Sequence, residues 1–432
     1  MKLTNRRFLR CAILGDLASY PSGVREEMKD ADYIIKNSIK AVLPDEAVVR
    51  ALSNFSYERG RVILVAAGKA AWQMASAAKE ALEKIDAGIV ITKYGHVKAE
   101  LGEIECYEAG HPVPDENSFA ATRRALDLVK DLSEDDTVIF LLSGGGSALF
   151  EVPLVSGDEL QDITKQLLAC GADIVEMNTI RKRLSQVKGG RFAKACEPAK
   201  VYSIVLSDIV GDPLDMIASG PAYPDSSTCE DAKAIVKKYN LKLSEKALKL
   251  LDEETPKEIN NVKTYITGSV RELCKAAAKA CEELGYKAEI LTDELCCEAR
   301  EAGAYLADVA KTHANDGKKL AFIAGGETVV HITGDGKGGR NQELALSAAL
   351  GISGLDNVAI FSVGSDGTDG PTDAAGGYVD GNTFKKLKDL GIDIDEVLSR
   401  NDSYNALKSV DGLIITGATG TNVNDVAVVL IK

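Results

Sequence analysis

Short, continuous apolar runs alternate with amphipathic stretches over the first part of the chain. The run Arg61-Val-Ile-Leu-Val-Ala-Ala67 opens the series and is followed by apolar positions at helical spacing from Lys69 to Leu82. Gly88-Ile-Val-Ile-Thr92, Thr137-Val-Ile-Phe-Leu-Leu142 and Val201-Tyr-Ser-Ile-Val-Leu206 repeat the theme. Because these runs are unbroken rather than alternating, each predicted strand is buried on both faces, as in a largely parallel sheet covered by helices. From Cys229 to Val262 the chain turns rich in Lys and Glu at helical spacing, which predicts a solvated helical connection. A second strand and helix series starts at Tyr265-Ile-Thr-Gly268. It continues through Lys287-Ala-Glu-Ile-Leu-Thr292, Leu320-Ala-Phe-Ile-Ala324 and Val358-Ala-Ile-Phe-Ser-Val363, and ends in Leu413-Ile-Ile-Thr416 and Val426 to Ile431. The prediction is an α/β protein of two domains, 1–260 and 261–432.

Composition narrows the class. With 45% hydrophobic and 27% charged residues the chain is ordinary globular material. A net charge of −14 gives no long-range attraction to nucleic acid or an anionic membrane, so an anionic substrate must be caught by a local cationic pocket. Arg6, Arg7 and Arg10 precede Cys11-Ala-Ile-Leu14 in the manner of a signal peptide, but the apolar run stops at Gly15-Asp16, and a cytoplasmic location is expected. Nine cysteines without CxxC spacing suit reduced thiols, and the four histidines form no zinc-binding pattern.

Candidate chemistry gathers where strands end, the place where open parallel sheets bind ligands. The strand ending at Leu142 runs into Ser143-Gly144-Gly145-Gly146-Ser147, whose backbone N–H groups could converge on a phosphate without Cβ obstruction. Five cations, Arg181, Lys182, Arg183, Lys188 and Arg191, cluster around Gly189-Gly190. On a helix, Arg181, Ser185 and Lys188 would share one stripe, suited to phosphate or carboxylate. Asp208 and Asp212 follow the strand ending at Leu206, where Asp208 could act as a base or metal ligand. Farther on, Arg340 stands between a glycine loop and a helix start, placed to clamp an anion. The loop Gly364-Ser-Asp-Gly-Thr-Asp-Gly-Pro-Thr-Asp373 offers Asp366 among several carboxylates suited to Mg²⁺ or hydroxyl contacts. Both halves thus contribute to a cleft for a phosphorylated ligand.

Read as whole strings, these segments resemble the type 2 glycerate kinase family, whose C-terminal part is named the MOFRL domain. The strings are Ala67-Gly-Lys-Ala70, Gly110-His-Pro-Val-Pro-Asp115, Ser143 to Leu149, Leu184-Ser-Gln-Val-Lys-Gly-Gly190, Ser207 to Asp212, Ile217-Ala-Ser-Gly-Pro221, Gly325-Gly-Glu327, Gly338-Gly-Arg-Asn-Gln-Glu343, Gly367 to Ala375 and Thr419-Gly-Thr-Asn-Val423. They run in order along nearly the whole chain. The resemblance implies a Rossmann-like N-terminal domain, a smaller MOFRL-type α/β domain, and an active site in the cleft between them. It also implies ATP- and Mg²⁺-dependent phosphorylation of D-glycerate to 2-phosphoglycerate, and the lysine and arginine most associated with activity match Lys69 and Arg340. Two departures bear on the acceptor. Arg183 stands where the family usually has histidine, and Ala222-Tyr-Pro-Asp225 replaces the commoner Thr-Val-Pro-Asp.

Phosphoryl transfer asks a protein mainly to align oxygens and neutralise charge. On this reading Lys69 and Arg340 contact the transferring phosphate or the substrate carboxylate, and Asp366 contacts substrate. Ser143, Gly144, Gly145, Gly146 and Ser147, with Lys188 and Gly189, hold the ATP phosphates. Asp212 and Asp366 are the candidate carboxylates for Mg²⁺, and Asp208 accepts the hydroxyl proton, with Asp212 and Asp366 as rivals. Partners are small molecules, glycerate and ATP, with a homodimer left open. Two other readings stay open: a nicotinamide-dependent hydroxypyruvate or tartronate semialdehyde reductase, opposed by the missing GxGxxG, and a noncatalytic nucleotide-binding regulator. Sequence alone does not choose between the 2- and 3-hydroxyl.

Overall fold

The computed structural model describes residues 26–53, 55–57 and 59–432, so the signal-like Arg6 to Asp16 segment lies outside the described residues. Six strands, β1 (Val62–Ala67), β2 (Ala87–Lys93), β3 (Ile104–Ala109), β4 (Thr137–Leu142), β5 (Lys200–Leu206) and β6 (Val262–Gly268), form one sheet. It is parallel throughout, in the order β3-β2-β1-β4-β5-β6. The chain winds outward from β1 through β3, then returns to β4 on the other side of β1. The strand order therefore reverses between β1 and β4, which opens a crevice at their carboxyl ends.

Strand periodicity explains why both central strands are apolar throughout. Ile63, Val65, Phe140 and Leu142 enter a core with Phe150 and Phe192, while Leu64, Ala66, Ile139 and Leu141 pack with Met74 and Tyr202 on the opposite face. Phe192 sits 4.8 Å from Phe140 and 5.0 Å from Phe150 between ring centroids, so the segment after β4 is anchored by aromatic packing.

A second sheet contains β7 (Lys287–Leu295), β8 (Leu320–Gly326), β9 (Val358–Gly364), β10 (Gly376–Asp380), β11 (Leu413–Ile414) and β12 (Asp425–Ile431). Its order is β11-β10-β9-β12-β8-β7. Only β7 and β8 pair in parallel, and β12 runs antiparallel between β8 and β9. The helix Arg340–Gly351 is buried along most of its length on this sheet, which accounts for its apolar and small residues from Leu344 onward, while its first turn buries the polar Asn341, Gln342 and Glu343.

The chain divides into two compact units, one of Val42–Glu272 with Thr421–Val423, the other of the residues up to Ala41 with Leu273–Gly420 and Asn424–Lys432. This corrects the division at residue 260 in two ways. Tyr265–Gly268, expected to open the second series, belongs to β6, which pairs with β5 at the edge of the first sheet. The helix Glu26–Ala41 joins the other unit, where Tyr286 Oη donates to Asp30 Oδ2 at 2.7 Å. The expected solvated connection is also more than that. Its helices Cys229–Tyr239 and Glu245–Leu250 bury Ala232, Ile235 and Ala247 against Ile163, Ile180 and Leu184 in a satellite core. Among the described residues no helix is long and apolar enough to cross a membrane.

Candidate active site

The turn after β1 and the loop after β4 interlock at the β1/β4 crevice. Lys69 N–H donates to the Gly144 carbonyl at 2.8 Å, and the Ser143 hydroxyl accepts from Ala70 N–H at 3.1 Å. Gly145 has φ +86°, and a Cβ there would stand 3.1 Å from Lys69 Cγ and 3.0 Å from His111 Cδ2. A Cβ on Gly144 would fall on the Asp208 carboxylate. The glycines therefore serve to admit three side chains, Lys69, His111 and Asp208, around one loop. Lys69 is exposed there, while His111 and Asp208 are half-buried. Burial first, then the positive charges of Lys69 and Lys93, hold the His111 pKa below its ordinary value, so the imidazole is neutral at pH 7. The string Gly110 to Asp115 contains His111, but only the fold marks it as a site residue.

Beneath the loop the picture differs from expectation. The helix carrying the basic cluster, Ile174–Arg183, ends before Ser185, so Arg181 and Lys188 share no helical stripe. Lys188 is fully buried and points at the floor of the loop. Its ammonium donates to the carbonyls of Ser147 at 2.8 Å and Phe150 at 3.0 Å and pairs with Glu151 at 3.1 Å. Those contacts use all three of its protons, which leaves none for a phosphate. Gly189 N–H is likewise spent, on the Ser219 carbonyl at 3.0 Å. Both residues build the loop's support.

That support contains strained backbone. Ala218 and Ser219, neither of them glycine, have φ of +51° and +61°. Such conformations cost on the order of 1–3 kcal/mol each and persist where the surroundings over-determine them. Here Ser219 Oγ donates to Asn178 Oδ1 at 2.8 Å and lies 3.2 Å from Ser147 Oγ, tying the strained turn to the loop. Asp212 also has a left-handed φ, +51°, and its Oδ1 is buried without a hydrogen-bond partner. Among the described residues no group of three metal-ligating side chains forms a protein-only cage. Mg²⁺ bound through phosphates needs only one or two carboxylates, and the unsatisfied Asp212 oxygen fits that demand.

In the other unit Arg340 starts its helix with three anchors. Nε and Nη2 donate to Asp425 at 2.6 and 3.2 Å, and Nη1 donates to Glu327 at 2.8 Å. Burial works against the charge, but Asp425, Glu327 and Asp369 outweigh it and hold the Arg340 pKa above its ordinary value. The helix start is not open to a ligand as expected, because the buried Asp369 accepts the N–H groups of Asn341 at 3.1 Å and Gln342 at 2.9 Å. Asp366, three residues earlier, is half-buried and accepts Thr368 N–H at 2.9 Å.

Residues 320–425 match the MOFRL family, and residues 30–252 match a family described as a domain of unknown function, DUF4147. A protein of Thermotoga maritima named D-glycerate 2-kinase is 56% identical over 405 residues, spanning 92% of this chain and 97% of its own. The chain belongs to the type 2 glycerate kinase family. A crystal structure of the glycerate kinase from Thermotoga maritima superposes with a TM-score of 0.90 at 55% identity, covering 94% of this chain and 100% of that one. A relative from Agrobacterium vitis, 40% identical over 86% of this chain and 88% of its own, instead carries a hydroxypyruvate reductase name. Of the glycerate kinase site residues expected from sequence, Lys69, Ser143 to Ser147 and Asp208 come together at one crevice. Lys188 and Gly189 lie under it, and Arg340 and Asp366 belong to the other unit.

Proposed function

We infer that the protein transfers the γ-phosphoryl group of ATP to the 2-hydroxyl of D-glycerate, releasing ADP and 2-phosphoglycerate. The carrying observation is the crevice itself, where an exposed lysine, a half-buried histidine and a carboxylate surround a glycine loop at the strand-order reversal. The hydroxyl oxygen attacks the γ-phosphorus, the bond to the β-phosphate oxygen breaks, and the hydroxyl proton passes to a base. Lys69 neutralises charge on the moving group and the Ser143–Ser147 loop orients the phosphates. Arg340 is assigned to substrate contacts on the strength of the string Gly338 to Glu343 that carries it, and Asp366 because it lies in the carboxylate-rich loop 364–373. Mg²⁺, held through the phosphates with Asp212 as its fitting carboxylate, supplies charge neutralisation when bound.

Asp208 is the proposed base. Asp208→Asn keeps the shape that packs on Gly144 and removes the proton acceptor, so kcat, measured on folded protein, is expected to fall by about 10²-fold or more. A fall of less than about tenfold would reassign the role, with Asp212 and Asp366 next to be tested.

The reaction is tested with ATP, Mg²⁺ and D-glycerate, coupling the product to enolase alone and, in parallel, to enolase plus phosphoglycerate mutase. Enolase consumes only 2-phosphoglycerate, so a signal with enolase alone is expected. A signal that needs the mutase would move attack to the 3-hydroxyl. Silence in both, with NAD(P)H oxidised by hydroxypyruvate, would replace the kinase with the reductase suggested by the Agrobacterium relative's name.

A further inference from the structure

The five cations between Arg181 and Arg191 are not equivalent. Lys182 pairs with Asp215 at 3.2 Å and Asp225 at 3.0 Å. Arg183 is fully buried, donating to the Thr179 carbonyl, to Ser227 and to Glu254. Arg191 donates to the Ser185 carbonyl at 2.6 Å, and Lys188 is spent under the loop. Arg181 differs from all four. It is half-buried, and its guanidinium makes no hydrogen bond or ion pair among the described residues.

Its place in the fold is equally specific. Asn178 lies three residues earlier on the same helix and is therefore its neighbour on the helical surface. Asn178 accepts from Ser219, which contacts Ser147 of the glycine loop. Glu151, two residues beyond the short helix Gly146–Leu149, is the carboxylate whose charge acts on Arg181. Glu151 is already engaged by Lys188, whose three acceptors require it to be an ammonium. Glu151 is thus spent on Lys188, and the Arg181 charge is left without an ion-pair partner among the described residues. Burial lowers the Arg181 pKa and Glu151 pulls it back up, but a guanidinium stays charged throughout the physiological range. A half-desolvated cation without a partner is unfavourable for the empty protein. Its planar fork matches the two oxygens of a carboxylate or phosphate.

We propose that Arg181 receives a substrate oxyanion, an ATP phosphate or the glycerate carboxylate, at the edge of the Ser143–Ser147 loop, and so takes the role that sequence gave to Lys188. This rests on the phosphoryl-transfer reading. Calorimetric titrations of the full-length protein with D-glycerate alone and with ATP and Mg²⁺ alone, on wild type, Arg181→Met and Arg181→Lys, test it without turnover. One of the two dissociation constants is expected to rise by about tenfold or more in Arg181→Met and less in Arg181→Lys, while the other stays within about twofold. The ligand affected identifies the oxyanion. A Tm within a few degrees of wild type is expected in both variants, because no hydrogen bond or ion pair among the described residues is removed. Both constants within about twofold of wild type, or unchanged binding with a Tm lowered by several degrees, would overturn the assignment and make Arg181 a structural or solvated cation. If wild type itself binds neither ligand, the kinase reading falls and this proposal with it.

Discussion

Arg340→Ala is expected to lower kcat/KM by about 10³-fold or more, the scale on which arginines that stabilise a transferring phosphoryl group act. Three of the five guanidinium N–H bonds go to Asp425 and Glu327, which fixes the plane of the group and leaves two donors uncommitted. A fall of less than about tenfold would remove Arg340 from the reaction. Because the same side chain compensates buried acids, the variant also loses stability, and the loss has a pH signature. Burial pushes the Asp425 carboxyl up to about 6 even with Arg340 present. A carboxyl whose folded pKa is raised stabilises the fold at low pH and ceases to do so as pH rises through that value. Without Arg340 this trend steepens, so the Tm deficit of Arg340→Ala should be larger near pH 8 than near pH 5. Kinetics measured near the lower pH on folded protein then separate lost chemistry from lost structure. Arg340→Lys restores charge but not the fork, and should recover more Tm than kcat/KM.

How far the sequence reveals this arrangement follows from which interactions are local. β1, β4 and β5 are legible because a strand buried on both faces must be apolar throughout, and Asp208 and Ser143 are legible because they follow such strands directly. β10, Gly376-Gly-Tyr-Val-Asp380, is not legible, since two glycines read as a turn until a neighbouring strand pairs with them. β6 is legible as a strand but not as a member of the first sheet, because sheet membership depends on β5, distant in sequence. The carboxylates of the 364–373 loop look alike as a string. Only the fold buries Asp369 at the start of the Arg340 helix and leaves Asp366 half-exposed. His111 was readable as part of a string, but its meaning comes from the packing of Gly145 against it.

Lys188 is the clearest case of a charge whose position in the chain misleads, and it carries the second large prediction. The helical stripe joining it to Arg181 fails because the chain leaves the helix at Arg183 and pairs instead with the segment after the loop. Leu154 N–H donates to the Leu184 carbonyl, and Gln186 N–H donates to that of Val152. This turn carries Lys188 under the loop, where it satisfies two carbonyls and Glu151 in a site closed to water. Removing one member of a buried ion pair leaves the other charge uncompensated, at a cost of about 3–5 kcal/mol. Lys188→Met is therefore expected to lose about that much in denaturant unfolding, or to fail to accumulate as folded protein. Glu151 also has an oxygen without a partner, so neutralising it removes most of the penalty while keeping its shape. The double variant Lys188→Met/Glu151→Gln should accordingly be more stable than Lys188→Met alone, a coupling that a double-mutant cycle measures directly. A phosphate-binding lysine would behave in the opposite way. The single variant would keep its stability and lose affinity for ATP, and neutralising Glu151 would restore nothing.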